Sequence, residues 1–276
     1  MTQRTVIVTG ASSGIGMETA VAFARRGYAV VLAARRADRL DQVADQCRAT
    51  GGTAMAVPTD VADRRQVEAL VARTMDAFGR VDVMVNNAGF GLFALVHETG
   101  EQDMRRIFET NFFGVFHGCH AVAPIMIRQR SGHIFNVSSV IGKRGTPFHG
   151  AYSATKFAIV GLSDSMRVEM RPYGVHVTCV CPALTATEFF QHSRRSRAAE
   201  SSFQRFKAMM PASAVARGIV AAVGKDRPEI IFSLGGKLLA LLTALSPRLT
   251  DALMSLYYSD LAKRLQAQPE STHGED

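Results

Sequence analysis

The sequence predicts an α/β fold, a doubly wound, three-layer parallel sheet of about seven strands with a helical appendage at its C-terminal end. Short apolar, β-branched runs alternate with helical patterns through the first two-thirds of the chain, which is typical of a sheet covered by helices on both faces. These runs are almost continuously apolar, as expected for parallel strands buried on both sides.

Each element has its own signal in the sequence. Apolar runs predict strands at residues 5–9, 28–33, 53–57, 82–86, 133–137 and 175–181, with a last strand at 229–232. Helical patterns between them predict helices at residues 14–26, 38–50, 63–78, 101–130 and 151–173. Asp63, followed three residues later by Gln66, predicts a capping box at the third helix.

Two segments depart from the alternation. Residues 188–211 are polar and basic, and their place after a strand is typical of a substrate lid. Residues 233–265 carry a leucine stripe that predicts a helical extension, before a polar, flexible tail at 266–276. The stripe has three candidate partners: the main body, a second subunit or a membrane surface. Lys237 and Arg248 bracket only about ten residues, too few to span a bilayer.

Composition narrows the functional classes. Hydrophobic residues make up 47% and charged residues 20%, which excludes a disordered chain. The net charge of +8 suits a solvated surface, an anionic small molecule or a lipid surface. The arginines are scattered along the sequence and form no recognised nucleic-acid-binding motif, which argues against nucleic acid as a partner. The start of the chain lacks a signal-peptide pattern, and no metal spacing joins the cysteines, so we expect a cytoplasmic protein with reduced thiols.

A glycine-rich turn connects the first predicted strand to the first predicted helix. Glycine lets the backbone approach a ligand closely, and the helix N-terminus favours negative charge, so the turn predicts a pyrophosphate site. Its candidate residues are Gly10, Ser12, Ser13, Gly14, Ile15 and Gly16.

The ends of the next strands predict the rest of a dinucleotide site. Arg35 and Arg36 follow the second strand, where an acidic residue would bind a ribose 2′-hydroxyl; two guanidinium groups suit a 2′-phosphate instead, so NADP(H) is preferred over NAD(H). Asp60, beside Val61, is placed to accept from an adenine amino group. Small residues at Asn87, Ala88 and Gly89 would let the backbone meet a ribose or ring, while the Asn side chains would tie strands together.

Tyr152 and Lys156 are the candidate acid/base pair. Four residues apart on a helix they share one face, and an ammonium beside a phenol favours the phenolate, lowering a pKa that is normally about 10. Ser139 follows the fifth strand, at the edge where open sheets bind ligands, and its hydroxyl would meet a substrate carbonyl. Asn111 is a poor helix former in mid-helix and is either satisfied in the core or functional.

In their order and spacing, these motifs resemble the short-chain dehydrogenase/reductase family from residue 2 to about residue 232. The resemblance implies that residues 1–232 are a Rossmann-fold, dinucleotide-binding and catalytic domain. It implies Tyr152 as proton donor, Ser139 orienting the carbonyl, Lys156 binding the nicotinamide ribose and lowering the Tyr pKa, and Asn111 holding a water in a proton relay. Thr187 matches the family's threonine near the nicotinamide carboxamide.

Some residues depart from the family pattern or compete for a function. The family's Pro-Gly after the sixth strand is Pro182-Ala183 here, and we expect a small backbone shift without loss of cofactor binding. Ser138 is a rival for Ser139, although the family spacing selects Ser139. His117 and His120 share a helix, where two ordinary histidines are a better interpretation than a metal site.

The sequence therefore predicts an NADP(H)-dependent oxidoreductase that interconverts a ketone or aldehyde and an alcohol. Three alternatives remain: a 3-oxoacyl carrier-protein reductase, a peripheral-membrane reductase of lipid-like ketones, and a non-catalytic nucleotide-binding regulator. Surplus apolar positions on helices 101–130 and 151–173 predict a homodimer or homotetramer, as the resemblance also implies. Substrate choice is assigned to residues 143–150 and 188–211.

Overall fold

The computed structural model describes residues 3–186 and 209–266. Its central strands are β1 (Thr5–Thr9), β2 (Ala29–Ala34), β3 (Thr53–Pro58), β4 (Val83–Asn86), β5 (Gly132–Val137), β6 (Val175–Cys181) and, after two short strands, β9 (Glu229–Ile231). They form one parallel sheet in the order β3-β2-β1-β4-β5-β6-β9. The seven predicted strands are confirmed, each to within one residue at either end. The short strands, β7 (Thr185–Ala186) and β8 (Met210–Pro211), pair with each other.

Helices cover both faces of this sheet. They are α1 (Gly14–Ala24), α2 (Ala37–Ala49), α3 (Arg64–Phe78), α4 (Glu101–Phe108), α5 (Gly114–Gln129), α6 (Gly150–Met170), α7 (Ala212–Ala222), α8 (Leu234–Leu245) and α9 (Pro247–Gln266). One hydrophobic core packs α1, α2 and α7 on the sheet, and a second packs α3, α5 and α6 on the opposite face. The predicted doubly wound α/β fold is thus confirmed, and its strand order reverses between β1 and β4.

Fully buried side chains hold the layers together. Phe23 of α1 and Ile219 of α7 lie in the first core, and Leu70 of α3 and Ile159 of α6 lie in the second; each is 0% exposed. Burying a side chain of this size stabilises the fold by about 1.5–3 kcal/mol. The sheet is therefore a rigid base for the loops at its carboxyl edge.

The helix predicted at 101–130 is wrong as a single element. A five-residue π turn, Glu109–Phe113, separates α4 from α5 and contains Asn111. The helix predicted at 151–173 ends earlier, because a tighter 3-10 turn, Arg171–Tyr173, follows α6. Both differences arise from local changes of helical pitch, which leave the apolar pattern almost unchanged.

The predicted start of α3 is largely confirmed. Asp63 is the N-cap, and its carboxylate accepts hydrogen bonds from Arg65 N at 2.9 Å and Gln66 Nε2 at 3.1 Å. Gln66 Oε1 accepts from Asp60 N at 2.8 Å, rather than from Asp63 N as in a capping box. The residue pair therefore caps the helix and also fixes the turn after β3.

The C-terminal extension forms two helices, as predicted, but its leucine stripe is not covered by the main body. The exposed leucines of α8 and α9 are Leu234, Leu238, Leu241, Leu245, Leu249, Leu253 and Leu256. The inner side of α9 is instead buried through Thr250 and Leu261. No helix in the described ranges is long and apolar enough to cross a membrane. Most of the predicted lid, residues 188–208, lies outside the described residues.

Candidate active site

The glycine-rich turn lies between β1 and α1, at the point where the strand order reverses. Gly10 and Gly14 have φ of 64° and 55°, a left-handed conformation that glycine adopts without strain. A Cβ atom at Gly10 would lie 2.8 Å from Ala88 Cα, and one at Gly16 would lie 2.3 Å from Gly10 O. The turn can therefore pack this closely only with glycine at these positions.

The loop after β4 is hydrogen-bonded to the end of β1. Thr9 Oγ1 accepts from Asn87 N at 2.9 Å and from Ala88 N at 3.1 Å, and Asn87 Nδ2 donates to Thr9 O at 3.0 Å. Asn86 Nδ2 donates to Asn136 Oδ1 at 2.9 Å, which ties β4 to β5. The two asparagine side chains thus tie neighbouring strands together, and residues 87–89 also line a cleft.

A cleft of about 410 Å³ opens at this edge of the sheet. It brings together twelve of the predicted cofactor residues: Gly10, Ser12, Ser13, Gly14, Ile15, Arg35, Arg36, Asp60, Val61, Asn87, Ala88 and Gly89. Gly16 and Pro182 are not part of its lining; Gly16 instead packs against Gly10 and Asn87. Thr187 lies outside the described residues.

The cleft is basic at the end of β2. Arg36 Nη2 donates to Ser12 Oγ at 3.1 Å, so a guanidinium group lies beside the glycine-rich turn. Asp60 Oδ1 accepts from Ala62 N at 3.1 Å. Helix-start amides, serine hydroxyls and guanidinium groups together form the donor set that phosphate oxygens prefer. The residues present therefore fit the phosphates of a dinucleotide.

Sequence reasoning missed five residues of the cleft wall: Ala34, Thr59, Phe90, Arg106 and Thr110. The Arg106 guanidinium carbon lies 5.3 Å from the centroid of the Phe90 ring. Arg106 and Thr110 are four residues apart in a helical region, so their side chains lie on one face, and Thr110 directly precedes Asn111. That spacing was the available signal.

Ser139, Tyr152 and Lys156 lie together beside the cleft and are not part of its lining. The side chains of Ser139 and Tyr152 are hydrogen-bonded, and Lys156 Nζ lies 5.5 Å from the Tyr152 ring centroid. A Cβ atom at Gly89 would lie 3.8 Å from Lys156 Nζ, so the group adjoins the cleft. Ser138, the rival serine, is buried and donates to Lys156 O at 2.8 Å.

The pKa shifts run against the expectation from the sequence. Burial raises the pKa of the Tyr152 phenol, and the hydrogen bond from Ser139 offsets part of that rise. Burial lowers the pKa of Lys156 to about 8. Lys156 Nζ donates to Val137 O at 2.8 Å. Burial penalises both charged forms, and this effect exceeds the attraction that the spacing suggests.

Asn111 is fully buried and holds the loop after β4. Its Oδ1 accepts from Phe90 N at 2.9 Å and its Nδ2 donates to Phe90 O at 2.9 Å. A Cβ atom at Gly89 would lie 3.0 Å from Asn111 Oδ1. The π turn thus places the amide where it fixes the wall between the cleft and Lys156.

The turn after β6 lies against the segment that follows Ser139. Val140 N donates to Pro182 O at 3.0 Å, and Ser138 N donates to Val180 O at 2.7 Å. Among the described residues, Arg130 and Phe148 are the non-glycine positions with positive φ, so Ala183 avoids the left-handed strain. The described residues hold no group of three His, Cys, Asp or Glu side chains suited to a metal.

Comparisons with known proteins agree with this geometry. A family profile described as short chain dehydrogenase matches residues 4–198. An uncharacterised oxidoreductase of Bacillus subtilis is 34% identical over 264 residues, or 94% of this chain and 74% of the relative. A 3-oxoacyl-[acyl-carrier-protein] reductase of Synechocystis is 37% identical over 193 residues, or 70% of this chain and 78% of the relative.

Solved structures are similar as well. A short chain dehydrogenase/reductase from Burkholderia phymatum, in complex with NAD, has a TM-score of 0.79 at 29% identity and covers 99% of each chain. An alcohol dehydrogenase from Thermococcus sibiricus, complexed with 5-hydroxy-NADP, has a TM-score of 0.74 at 28% identity and covers 83% of this chain and 96% of the other.

Proposed function

The chain belongs to the short-chain dehydrogenases and is an oxidoreductase; from that premise we propose that it uses NADP(H) to interconvert a ketone or aldehyde and an alcohol. One observation carries the proposal. The Ser139 and Tyr152 hydroxyl groups are hydrogen-bonded beside Lys156, and this group adjoins the cleft through Gly89. A bound nicotinamide supplies the hydride at its C4 atom.

Each residue of the group has a proposed task in carbonyl reduction. Ser139 donates to the carbonyl oxygen and orients it, because a hydroxyl aimed at a developing oxyanion stabilises the transition state. Tyr152 transfers its phenolic proton to the same oxygen as the carbonyl carbon becomes tetrahedral. Lys156 binds the ribose hydroxyl groups and favours the tyrosinate that remains. Asn111 maintains the path along which a water returns the proton.

The predicted assignment of NADP(H) is supported by the end of β2. The two residues directly after this strand are Arg35 and Arg36 rather than an acidic residue; both line the cleft, and Arg36 reaches the glycine-rich turn. The two related structures contain NAD in one case and 5-hydroxy-NADP in the other, so the preference is argued from this chain's own guanidinium groups.

The test is turnover by the purified full-length chain. NADPH oxidation is followed by its absorbance with a panel of ketones and aldehydes. On an accepted substrate, Tyr152→Phe should lower kcat by about 10²–10⁴-fold, because the general acid is lost. Tyr173→Phe, at an exposed tyrosine, is the matched control. Full turnover by Tyr152→Phe would show the mechanism to be wrong.

A 3-oxoacyl carrier-protein reductase is the second candidate. The Synechocystis relative with that name and the net charge of +8 favour it, because an acidic carrier would bind a basic surface. The extended tail suits this subclass poorly. A carrier-bound 3-oxoacyl thioester as substrate, compared with a free ketone of equal chain length, separates the two candidates through kcat/KM.

The exposed leucines of α8 and α9 support a third candidate, a reductase of lipid-like ketones that binds a membrane surface. For oligomer formation we propose the surface of α5, α6 and the adjoining end of the π turn, where Phe116, Phe157 and Phe113 are more than a third exposed. Four buried free cysteines, Cys47, Cys119, Cys179 and Cys181, support a reducing compartment such as the cytoplasm.

A further inference from the structure

We propose that the C-terminal helix α9 positions the catalytic pair, by holding the segment 140–149 that connects Ser139 to Tyr152. The proposed positioning residues are Tyr258 and Asp251. This inference rests on the proposed function, because it concerns the same two hydroxyl groups. It assigns a task in catalysis to the part of the chain that follows the last strand.

The first contact is a set of stacked rings around Phe148. The Phe93 and Phe148 ring centroids are 5.1 Å apart with an interplanar angle of 5°, and those of Phe148 and Tyr258 are 5.6 Å apart at 20°. Phe148 is buried, and Leu261 of α9 packs in the same cluster. Because Tyr258 belongs to α9, this helix supports Phe148 directly.

Phe148 depends on this support because of its backbone. Its φ is 64°, a left-handed conformation that is unfavourable for an aromatic residue. The Phe148 carbonyl oxygen accepts from Ala94 N at 2.9 Å. Phe148 lies two residues before α6 begins and four before Tyr152. If the ring contacts are lost, the backbone can relax and the first turn of α6 moves with it.

Charged and apolar contacts hold the rest of the segment. Arg144 donates to the Asp251 carboxylate of α9, and Lys143 Nζ lies 2.5 Å from Glu229 Oε2 of β9. A Cβ atom at Gly236, in the first turn of α8, would lie 2.6 Å from Val140 Cγ1. The segment therefore contacts β9, α8 and α9 along its length.

The geometry of the catalytic pair depends on both ends of this segment. Ser139 directly precedes the segment 140–149, and Tyr152 lies three residues after its end. Their hydrogen bond lowers the pKa of Tyr152 against the effect of burial. A loosened segment weakens that bond, so the pKa of Tyr152 rises further. In alcohol oxidation Tyr152 must be deprotonated, so the rising limb of the pH profile moves to higher pH.

The experiment compares four variants, at three positions of α9, in the full-length enzyme. Tyr258→Ala should lower kcat by about tenfold and move the rising limb of the oxidation profile to higher pH, because a small misplacement of reacting groups is costly. Tyr258→Phe keeps the ring and should restore both quantities. Ser255→Ala, at an exposed residue of the same helix, is the matched control. Asp251→Asn should move both quantities in the direction of Tyr258→Ala by a smaller amount.

The outcomes separate the two proposals. If Tyr258→Ala and Asp251→Asn lower the melting temperature but keep the wild-type kcat and pH profile, α9 is only structural and this inference is overturned. The same holds if Tyr258→Phe fails to restore the profile. If the wild-type enzyme turns over none of the carbonyl substrates while Tyr258 is intact, the proposed function itself fails, and the positioning of its catalytic pair fails with it.

Discussion

Two adjacent serines at the end of β5 have separate tasks because successive side chains of an extended chain point in opposite directions. Ser138 Oγ donates to Lys156 O and is buried, so it fixes the backbone of the helix that carries Tyr152. Ser139 is hydrogen-bonded to Tyr152 itself. The choice between them rested on family spacing, and their contacts now supply a physical reason.

Substitution of each serine should separate stability from turnover. Ser139→Ala should lower kcat by about 10²–10³-fold with little change in unfolding, because it removes a donor to the developing oxyanion. Ser138→Ala should lower the free energy of unfolding by about 1–3 kcal/mol, because a buried carbonyl loses its partner. Steady-state kinetics and urea unfolding measure the two effects. Equal loss of kcat in both variants would contradict this division.

Arg36 should determine which dinucleotide is preferred. Arg36→Ala should raise KM for NADPH by about ten- to hundredfold, because a charge-assisted contact with a phosphate is lost. KM for NADH should stay constant, since NADH has no 2′-phosphate. Arg64→Ala, at an exposed arginine paired with Glu68, is the control. An equal rise in KM for NADPH and NADH would contradict this assignment, because Arg36 would then bind a group that both dinucleotides share.

Single-residue chemistry was only partly predictable from the sequence. The residue types at 139, 152 and 156 and their spacing predicted which side chains meet. The direction of the Tyr152 shift was not predictable, because it depends on burial among Leu92, Ile107 and Ala151, which come from three separate elements. Sequence spacing identifies neighbouring side chains on one helix, whereas the effect of desolvation on a pKa depends on all the residues that surround the group.

At the scale of elements, the π turn between α4 and α5 shows where periodicity fails. One additional residue in a turn barely changes an apolar pattern, so residues 101–130 have the pattern of a single helix. Asn111 in mid-helix was the available signal, and its two hydrogen bonds to Phe90 explain why the turn widens there. A break of this kind is specified by a tertiary contact rather than by local propensity.

His133 connects three elements through its ring. Its Nδ1 accepts from Gly224 N at 3.1 Å, beyond the end of α7, so Nε2 carries the proton toward Thr178 Oγ1 at 2.8 Å on β6. Thr178 in turn donates to Arg227 O at 2.7 Å. Burial lowers the pKa of His133 to about 3. Protonation would break the Gly224 bond and charge a buried ring.

The fold should therefore lose stability in mild acid. The folded pKa of His133 lies below its unfolded value, so its contribution is complete above pH 6.5 and declines as the pH falls from there toward 3. Between pH 7.5 and 5 the free energy of unfolding should drop by about 2 kcal/mol from this group. Urea unfolding at both pH values measures it.

A His133→Gln variant should flatten that pH dependence, whereas His120→Gln, at an exposed histidine, should leave it unchanged. The prediction concerns the difference in pH dependence between these two variants, so the contributions of the titrating groups that both variants share cancel. An equally steep loss of stability in His133→Gln would assign the acid sensitivity to a different group.

At the scale of the whole molecule, the layered fold was predictable from the sequence, but the surface that contacts the leucines of the C-terminal helices was not. Seven apolar runs predicted seven strands because burial on both faces leaves a continuous apolar signal. The leucine stripe of residues 234–256 predicted amphipathic helices, but a stripe has the same pattern whether it meets protein, a second subunit or lipid. The structure shows that the main body leaves these leucines exposed.

The third candidate function requires this exposed leucine surface to bind anionic vesicles. The full-length chain should sediment with them, helped by the net charge of +8, and less so at high salt. Replacing Leu238, Leu241 and Leu245 of α8 with serine should reduce sedimentation by about tenfold or more, since each leucine loses apolar burial. If the substitutions change the molar mass in light scattering instead, the surface joins two copies of the chain.

The parallel sheet also has a consequence for folding. Asn87 and Thr9, whose hydrogen bonds close the cleft, are 78 residues apart in the chain. Pairings over such distances form slowly, after the entropy of a long loop has been lost. We therefore expect the cleft to form late in folding, after β1 has paired with both β2 and β4. A dinucleotide that binds there recognises only the finished sheet, and it stabilises that state in proportion to the logarithm of its concentration.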